Sequence, residues 1–191
     1  MKNENRKMMI LSALFCAMIA VFAQISISFI PQVPFTLQNF AIALAPIILG
    51  RRYGTIAVLL YLLLGACGAP VFAQFSGGIG ILIGKTGGYL IGYVIAVFMM
   101  GTLFKGKDIT FTRAFVANLI GLLIIYACGV TQLKLVLSLT WPQAFTFGMG
   151  MFVIPDLVKI AAASYLGILI RRRLDAAGLL PSFLRNNRSA A

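Results

Sequence analysis

Six apolar stretches follow one another with so little polar chain between them that no water-soluble core can be built from this sequence. They run over about residues 8–30, 37–50, 53–67, 84–104, 111–130 and 144–170. A soluble domain needs a polar surface. With 61% hydrophobic residues, 10% charged residues and a mean hydropathy of +0.99, the chain has too few polar side chains to make one. Lipid has to be the solvent. The expectation is an all-α integral membrane protein of six transmembrane helices, one domain over 1–180, with a polar tail at 181–191 expected to be disordered.

The second and third stretches are shorter than the roughly 20 helical residues that a hydrocarbon core of ~30 Å demands. Between them stands Gly50-Arg51-Arg52-Tyr53-Gly54. Two adjacent arginines belong at a water interface, which favours a tight antiparallel hairpin over one kinked helix. An even number of crossings puts both termini on one side. Of the 16 basic residues, all but Lys85, Lys134 and Lys159 fall on that side, so the positive-inside rule makes it the cytoplasm. The net charge of +12 thus reads as orientation. Its cations are scattered over loop ends with no aromatic-interleaved basic face, which argues against nucleic acid and leaves anionic lipid headgroups as the expected partner.

The basic N-terminus imitates a secretory signal peptide. Its apolar run outlasts an ordinary signal core and lacks a clear A-x-A site, so no cleavage is expected. Cys16, Cys67 and Cys128 lie in separate apolar segments without metal or disulfide spacing.

One acid and one base stand three residues apart inside the last stretch, Asp156 and Lys159. Ionised groups are expensive in hydrocarbon and usually face a bundle interior, a substrate or a proton path. At i and i+3 of a helix the two share a face, so they can pair and address one cavity. Two irregular stretches could cap such a cavity on the extracellular side: the glycine-rich 65–88, and 31–38. Irregular backbone at membrane depth has to be buried in protein or line a cavity. Gly84-Lys85-Thr86 imitates the end of a phosphate loop, but the glycine that such a loop needs five positions earlier is Ile79.

Enzyme chemistry has little to draw on. There is no histidine, and of Glu4, Asp108, Asp156 and Asp175 only Asp156 lies in a span, so paired carboxylates for acid–base or metal work are missing. Binding or transport remains. A solitary secondary carrier that cycles protons through Asp156 and Lys159 is the main alternative to a binding subunit, and an intramembrane enzyme is the least supported class. On the first helix, Ala13, Ala17 and Ala20, with Ser12 and Ala23 nearby, form a small-residue face. Such a face serves either packing within the bundle or docking of a partner membrane protein.

Four motifs in order, Val33-Pro-Phe-Thr-Leu-Gln38, Gly68-Ala-Pro-Val-Phe72, Thr86-Gly-Gly-Tyr-Leu90 and Pro155-Asp-Leu-Val-Lys-Ile160, resemble the BioY family over nearly the whole chain from Met8 to Arg173. Its members are the biotin-specific substrate-binding subunits (S components) of energy-coupling factor transporters. Lys85 departs from the pattern, where proline is the more frequent residue.

The resemblance implies an S-component-type six-helix bundle in a prokaryotic cell membrane, with both termini cytoplasmic and no enzymatic activity. It implies no cofactor, since biotin enters as the transported ligand. It also implies a transmembrane coupling subunit (T component) docking on Ala13 and Ala17, and two ATP-binding cassette subunits, with the S component toppling in the membrane to carry its vitamin inward. Biotin has an anionic valerate and a neutral ureido ring, so its site needs a cation and a few hydrogen-bonding groups in an apolar setting. Lys159 is expected either to receive the carboxylate or to hold Asp156, and Asp156 to accept a ureido N–H. Gln74, Thr36 and Gln38 are the further polar candidates in the caps. Tyr89 would supply ring packing with a polar tip, and Trp141 an interfacial anchor.

Overall fold

The computed structural model describes residues 2–27, 33–105 and 108–178, with Pro181 and Leu184. The rest of the expected tail 181–191, together with Pro31 and Gln32 of the first cap, lies outside the described residues. The helices are α1 (Lys2–Gln24), α2 (Gln38–Ala66), α3 (Ile79–Ile83), α4 (Gly87–Leu103), α5 (Phe111–Leu137), α6 (Trp141–Phe145) and α7 (Val153–Ala176). A two-stranded antiparallel ribbon joins β1 (Ser26–Ile27) to β2 (Phe35–Thr36). Among the described residues α1, α2, α5 and α7 are long and apolar enough to cross a membrane, and α4, with 17 residues, is a shorter apolar helix.

The 29 residues of α2 do not form one rod. Gly50 adopts φ 71° and ψ −175°, which breaks the helix. A Cβ on Gly54 would lie 3.4 Å from the backbone carbonyl of Ala45. Nine residues along a straight helix would separate them by about 13.5 Å. The chain therefore doubles back, and 38–49 and 51–66 are two antiparallel arms, as the arginines at the turn imply. Gly50 supplies the positive φ that a side-chain-bearing residue resists.

Residues 41–50 are buried without interruption, so the first arm is the centre of the bundle. α1, α4 and α7 all pack on α2, and α5 packs on α4 and α7. α7 meets Leu44 and Ile47 of the first arm, and α4 meets Arg51 and Gly54 of the second. One stripe of α1, Met8, Ser12, Phe15, Cys16, Ile19 and Ala23, faces inward. Ser12 Oγ satisfies itself there by donating to Met8 O (2.9 Å) or Tyr53 O (3.0 Å). Ala13 and Ala17 are on the exposed side of α1, so they do not serve packing within this chain.

The seam between α4 and α5 is built from small residues. A Cβ on Gly88 would strike the backbone carbonyl of Cys128, and one on Gly92 would lie 3.1 Å from Ile125 Cα. In return Gly129 on α5 gives space to the Tyr89 ring, and Gly121 to Met100. Close backbone approach of this kind is how helices associate where lipid removes the hydrophobic drive.

Helix ends differ from those expected. α1 stops at Gln24, well before residue 30, because Ser26 and Ile27 pair with Thr36 and Phe35. α5 continues past residue 130 to Leu137. Its polar Thr131 bonds Ala127 O (2.6 Å), and Gln132 bonds Leu82 O (2.9 Å) and Gly84 O (2.8 Å), so these residues extend the helix and hold α3. The last apolar stretch divides into α6, a π-helical turn over Thr146–Gly150, and α7. Pro155 falls in the first turn of α7, where a missing N–H costs nothing. Trp141 is half exposed, with Lys134 Nζ 5.1 Å from its ring centroid.

Candidate functional site

At one end of the bundle, where α1 and the second arm of α2 finish and α2, α4 and α7 begin, lies a cavity of about 240 Å³. Asp156, Lys159, Gln74, Thr36, Gln38 and Tyr89 all line it. The opposite end holds the Gly50 turn, where Arg171 donates to Ile47 O (2.6 Å) and the Tyr53 hydroxyl bonds Asn5 (2.9 Å).

Asp156 sits in the first turn of α7, where the helix dipole favours a negative charge. It is 2% exposed and Lys159 7%. Burying two ions in a low-dielectric interior is tolerable only when their remaining hydrogen-bonding capacity is met. Asp156 Oδ1 takes Lys159 Nζ at 2.7 Å, while Oδ2 accepts from the Tyr126 hydroxyl (2.7 Å) and from Asn39 Nδ2 (2.8 Å). Lys159 also donates to the backbone carbonyl of Thr36 at 2.6 Å and stands 3.5 Å from the Phe35 ring centroid. Phe35 in turn stacks on Phe152 at 6.2 Å. The lysine is therefore engaged on three sides, by a carboxylate, a carbonyl and an aromatic face.

Thr36 contributes its carbonyl to the lysine, and its hydroxyl accepts from Gln38 N (3.3 Å). The Tyr89 hydroxyl donates to Gly148 O at 2.8 Å, tying α4 to the π-helical turn while the ring lines the cavity. Two polar atoms on lining residues, Gln38 Nε2 and Asn39 Oδ1, are buried without a hydrogen-bond partner among the described residues. Such atoms are destabilising unless a ligand or water meets them.

The two caps form the outer walls. Val33 to Thr36 contribute one, and Phe72, Ala73, Gln74 and Ser76 the other. Phe72 is 1% exposed and meets Tyr61 edge-on, with ring centroids 5.4 Å apart. Gly65 leaves room for it, since a Cβ there would overlap the Phe72 ring. Lys85 and Thr86 line the cavity too, so the phosphate-loop lookalike is part of its wall. With Lys85, Lys159 and Asp156 as the charged lining residues, the wall carries one net positive charge.

Sequence reasoning missed Asn39, Tyr126 and Tyr93, all on the cavity wall. Asn39 adjoins Gln38 and was open to detection as the second polar residue at the start of an apolar helix. Tyr126 is one of 6 tyrosines in the chain, and nothing in its neighbours marks it.

The family model described as the BioY family matches residues 1–176. The Biotin transporter BioY of Thermotoga maritima is 41% identical over 166 residues, covering 87% of this chain and 96% of that protein. The Probable biotin transporter BioY of Pyrococcus horikoshii is 44% identical over 165 residues, covering 86% and 94%. Among solved structures, that of the S-component for biotin from an ECF-type ABC transporter superposes with a TM-score of 0.83 at 28% identity, covering 97% of this chain and 99% of that one.

Proposed function

The chain belongs to the BioY family, and from that premise we propose that it is the biotin-binding S component of an energy-coupling factor transporter. The observation that carries the ligand is the cavity wall: a neutralised carboxylate, an unpartnered amide donor, an unpartnered amide acceptor and a surplus positive charge. A ureido group offers N–H donors and a carbonyl acceptor, which complement Asp156 with Asn39 on one side and Gln38 on the other. Because Lys159 is engaged by Asp156, Thr36 and Phe35, it acts by holding the acid in place. The valerate carboxylate then falls to the cations of the wall, where Lys85 lines the cavity beside Lys159. Gln74, Thr36 and Tyr89 complete the enclosure. At about 240 Å³ the cavity is below the ~300–1,000 Å³ of drug-sized pockets, which suits a small vitamin.

An S component is a transporter subunit rather than an enzyme, and this one is a multi-pass membrane protein. Six crossings follow if both arms of α2 and the short α4 span with the three longer helices, and the basic residues at the Gly50 end then put both termini in the cytoplasm of a prokaryotic cell. The energy for uptake comes from ATP hydrolysed on two cassette subunits, acting through a T component.

The direct test is equilibrium binding of labelled biotin to the purified, detergent-solubilised chain. Saturable binding at nanomolar concentration with one site per chain is expected. A folded, monodisperse protein that fails to bind would remove biotin as the ligand, and biotin movement into liposomes by the chain alone would favour the solitary carrier.

Ala13 and Ala17 are small and lie on the exposed face of α1, which suits close approach by a helix of the T component. Ala13→Arg and Ala17→Arg are expected to leave biotin binding within about twofold, since neither residue lines the cavity. Both should abolish co-purification with the T component and uptake in cells. Retention of both activities would place the docking face elsewhere.

A further inference from the structure

Gln24, the last residue of α1, lies outside the cavity lining and still joins the two caps that enclose it. Its own backbone leads into β1, whose partner strand puts Phe35 and Thr36 on the cavity wall. Its carboxamide grips the other cap. Nε2 donates to Val71 O (3.2 Å) and Phe72 O (3.0 Å), with Ala20 O at 3.2 Å in its own helix, and Oε1 accepts from Phe75 N (2.8 Å). This set fixes the amide's orientation, because only the carbonyl oxygen can accept the Phe75 N–H and only the NH₂ can serve the carbonyls.

Between those grips the chain is strained. Gln74 and Phe75 are at φ 60° and 54°, the left-handed region that residues with a Cβ seldom occupy. Two such residues in succession persist only where their surroundings hold them. On one side Phe72 is wedged beside Tyr61 and Gly65; on the other Ser76 closes the loop, its N–H and hydroxyl both on Ala73 O and its carbonyl accepting from Phe72 N. Gln24 binds the backbone on both sides of Gln74, and Ala73, Gln74 and Ser76 line the cavity.

We propose that Gln24 is a positioning residue that clasps the 71–76 loop over the cavity and so sets how long the ligand stays bound, without touching it. The proposal rests on the biotin-binding reading for its ligand. Removing the carboxamide frees the Phe75 N–H and the Val71 and Phe72 carbonyls, and the loop relaxes from the left-handed region and opens. Asparagine tolerates that region better than phenylalanine does, so Phe75→Asn lessens the need for the clasp.

Two readouts test this: the biotin dissociation rate, and hydrogen exchange of the amides at 72–76 in ligand-free protein, which reports local opening. The second needs no ligand, so a failure of the biotin reading and a failure of the clasp are distinguishable. Gln24→Ala is expected to raise dissociation about tenfold with no fall in the association rate, and to speed exchange at Phe75. Gln24→Glu should behave like it, since an anion cannot donate to the two carbonyls, and Gln24→Ala/Phe75→Asn should recover part of the slow release. Dissociation and exchange within twofold of the parent for Gln24→Ala would overturn the proposal, as would a double variant no slower than the single. Should Gln24→Ala fail to fold, Gln24→Glu decides: release about tenfold faster than the parent supports the clasp, and release within twofold of the parent overturns it.

Discussion

Asp156→Asn is expected to weaken biotin binding by at least two orders of magnitude, and Lys159→Ala to do nearly as much. Asparagine preserves the shape of the acid but removes the charge that compensates a lysine only 7% exposed. Breaking one member of a buried pair costs about 3–5 kcal/mol, most of it from the charge left uncompensated. At about 1.4 kcal/mol per tenfold, that is roughly a 100- to 4,000-fold loss if the site must reassemble to bind. The network spreads the damage. Asp156 also anchors Asn39 and Tyr126, and Lys159 also anchors the Thr36 carbonyl of β2. Equilibrium binding on variants shown to be folded, beside their unfolding temperatures in detergent, measures both effects. Asp156→Asn binding within tenfold of the parent would remove the pair from the site.

The second large effect concerns assembly. Gly88→Leu is expected to prevent α4 from seating on α5, because the new Cβ would fall on the backbone carbonyl of Cys128 and no rotamer change can move it away. Overpacking ordinarily costs about 1–3 kcal/mol, and a clash with backbone forces the two helices apart along the whole seam. Gly80→Ala, in the same glycine-rich segment, is the control: nothing stands within 4 Å of its Cβ. Yield of monodisperse protein and melting temperature should fall for the first substitution and hold for the second. An unchanged melting temperature for Gly88→Leu would show that the seam is looser than the geometry implies.

Charge and glycine made much of this protein readable in advance. The expense of ions in hydrocarbon pointed to Asp156 and Lys159, and two arginines beside Gly50 pointed to the hairpin inside α2. What stayed hidden was long-range pairing. Asp156 is completed by Tyr126, 30 positions away, and by Asn39, 117 positions away, and no periodicity links them. Gln24 was equally silent, a single amide at the end of an apolar helix whose meaning depends on a loop some 50 residues on. The glycine-rich segment reads as irregular chain up to the 84–104 span, yet Ile79–Ile83 within it is helical as α3. In the structure its last two glycines begin α4 and serve the α5 seam.

The first arm of α2 has a consequence for how a solute can cross. Its opening residues, Gln38 and Asn39, are part of the cavity wall, and residues 41–50 behind them are packed on every face. A bound vitamin therefore stands at the head of about 18 Å of close-packed helix. The centre of the molecule is insulation, with the arm occupying the line a conduit would follow. In the S-component role proposed above, cargo held there would travel only as far as the protein itself turns. Delivery would then be counted in reorientations, one vitamin each.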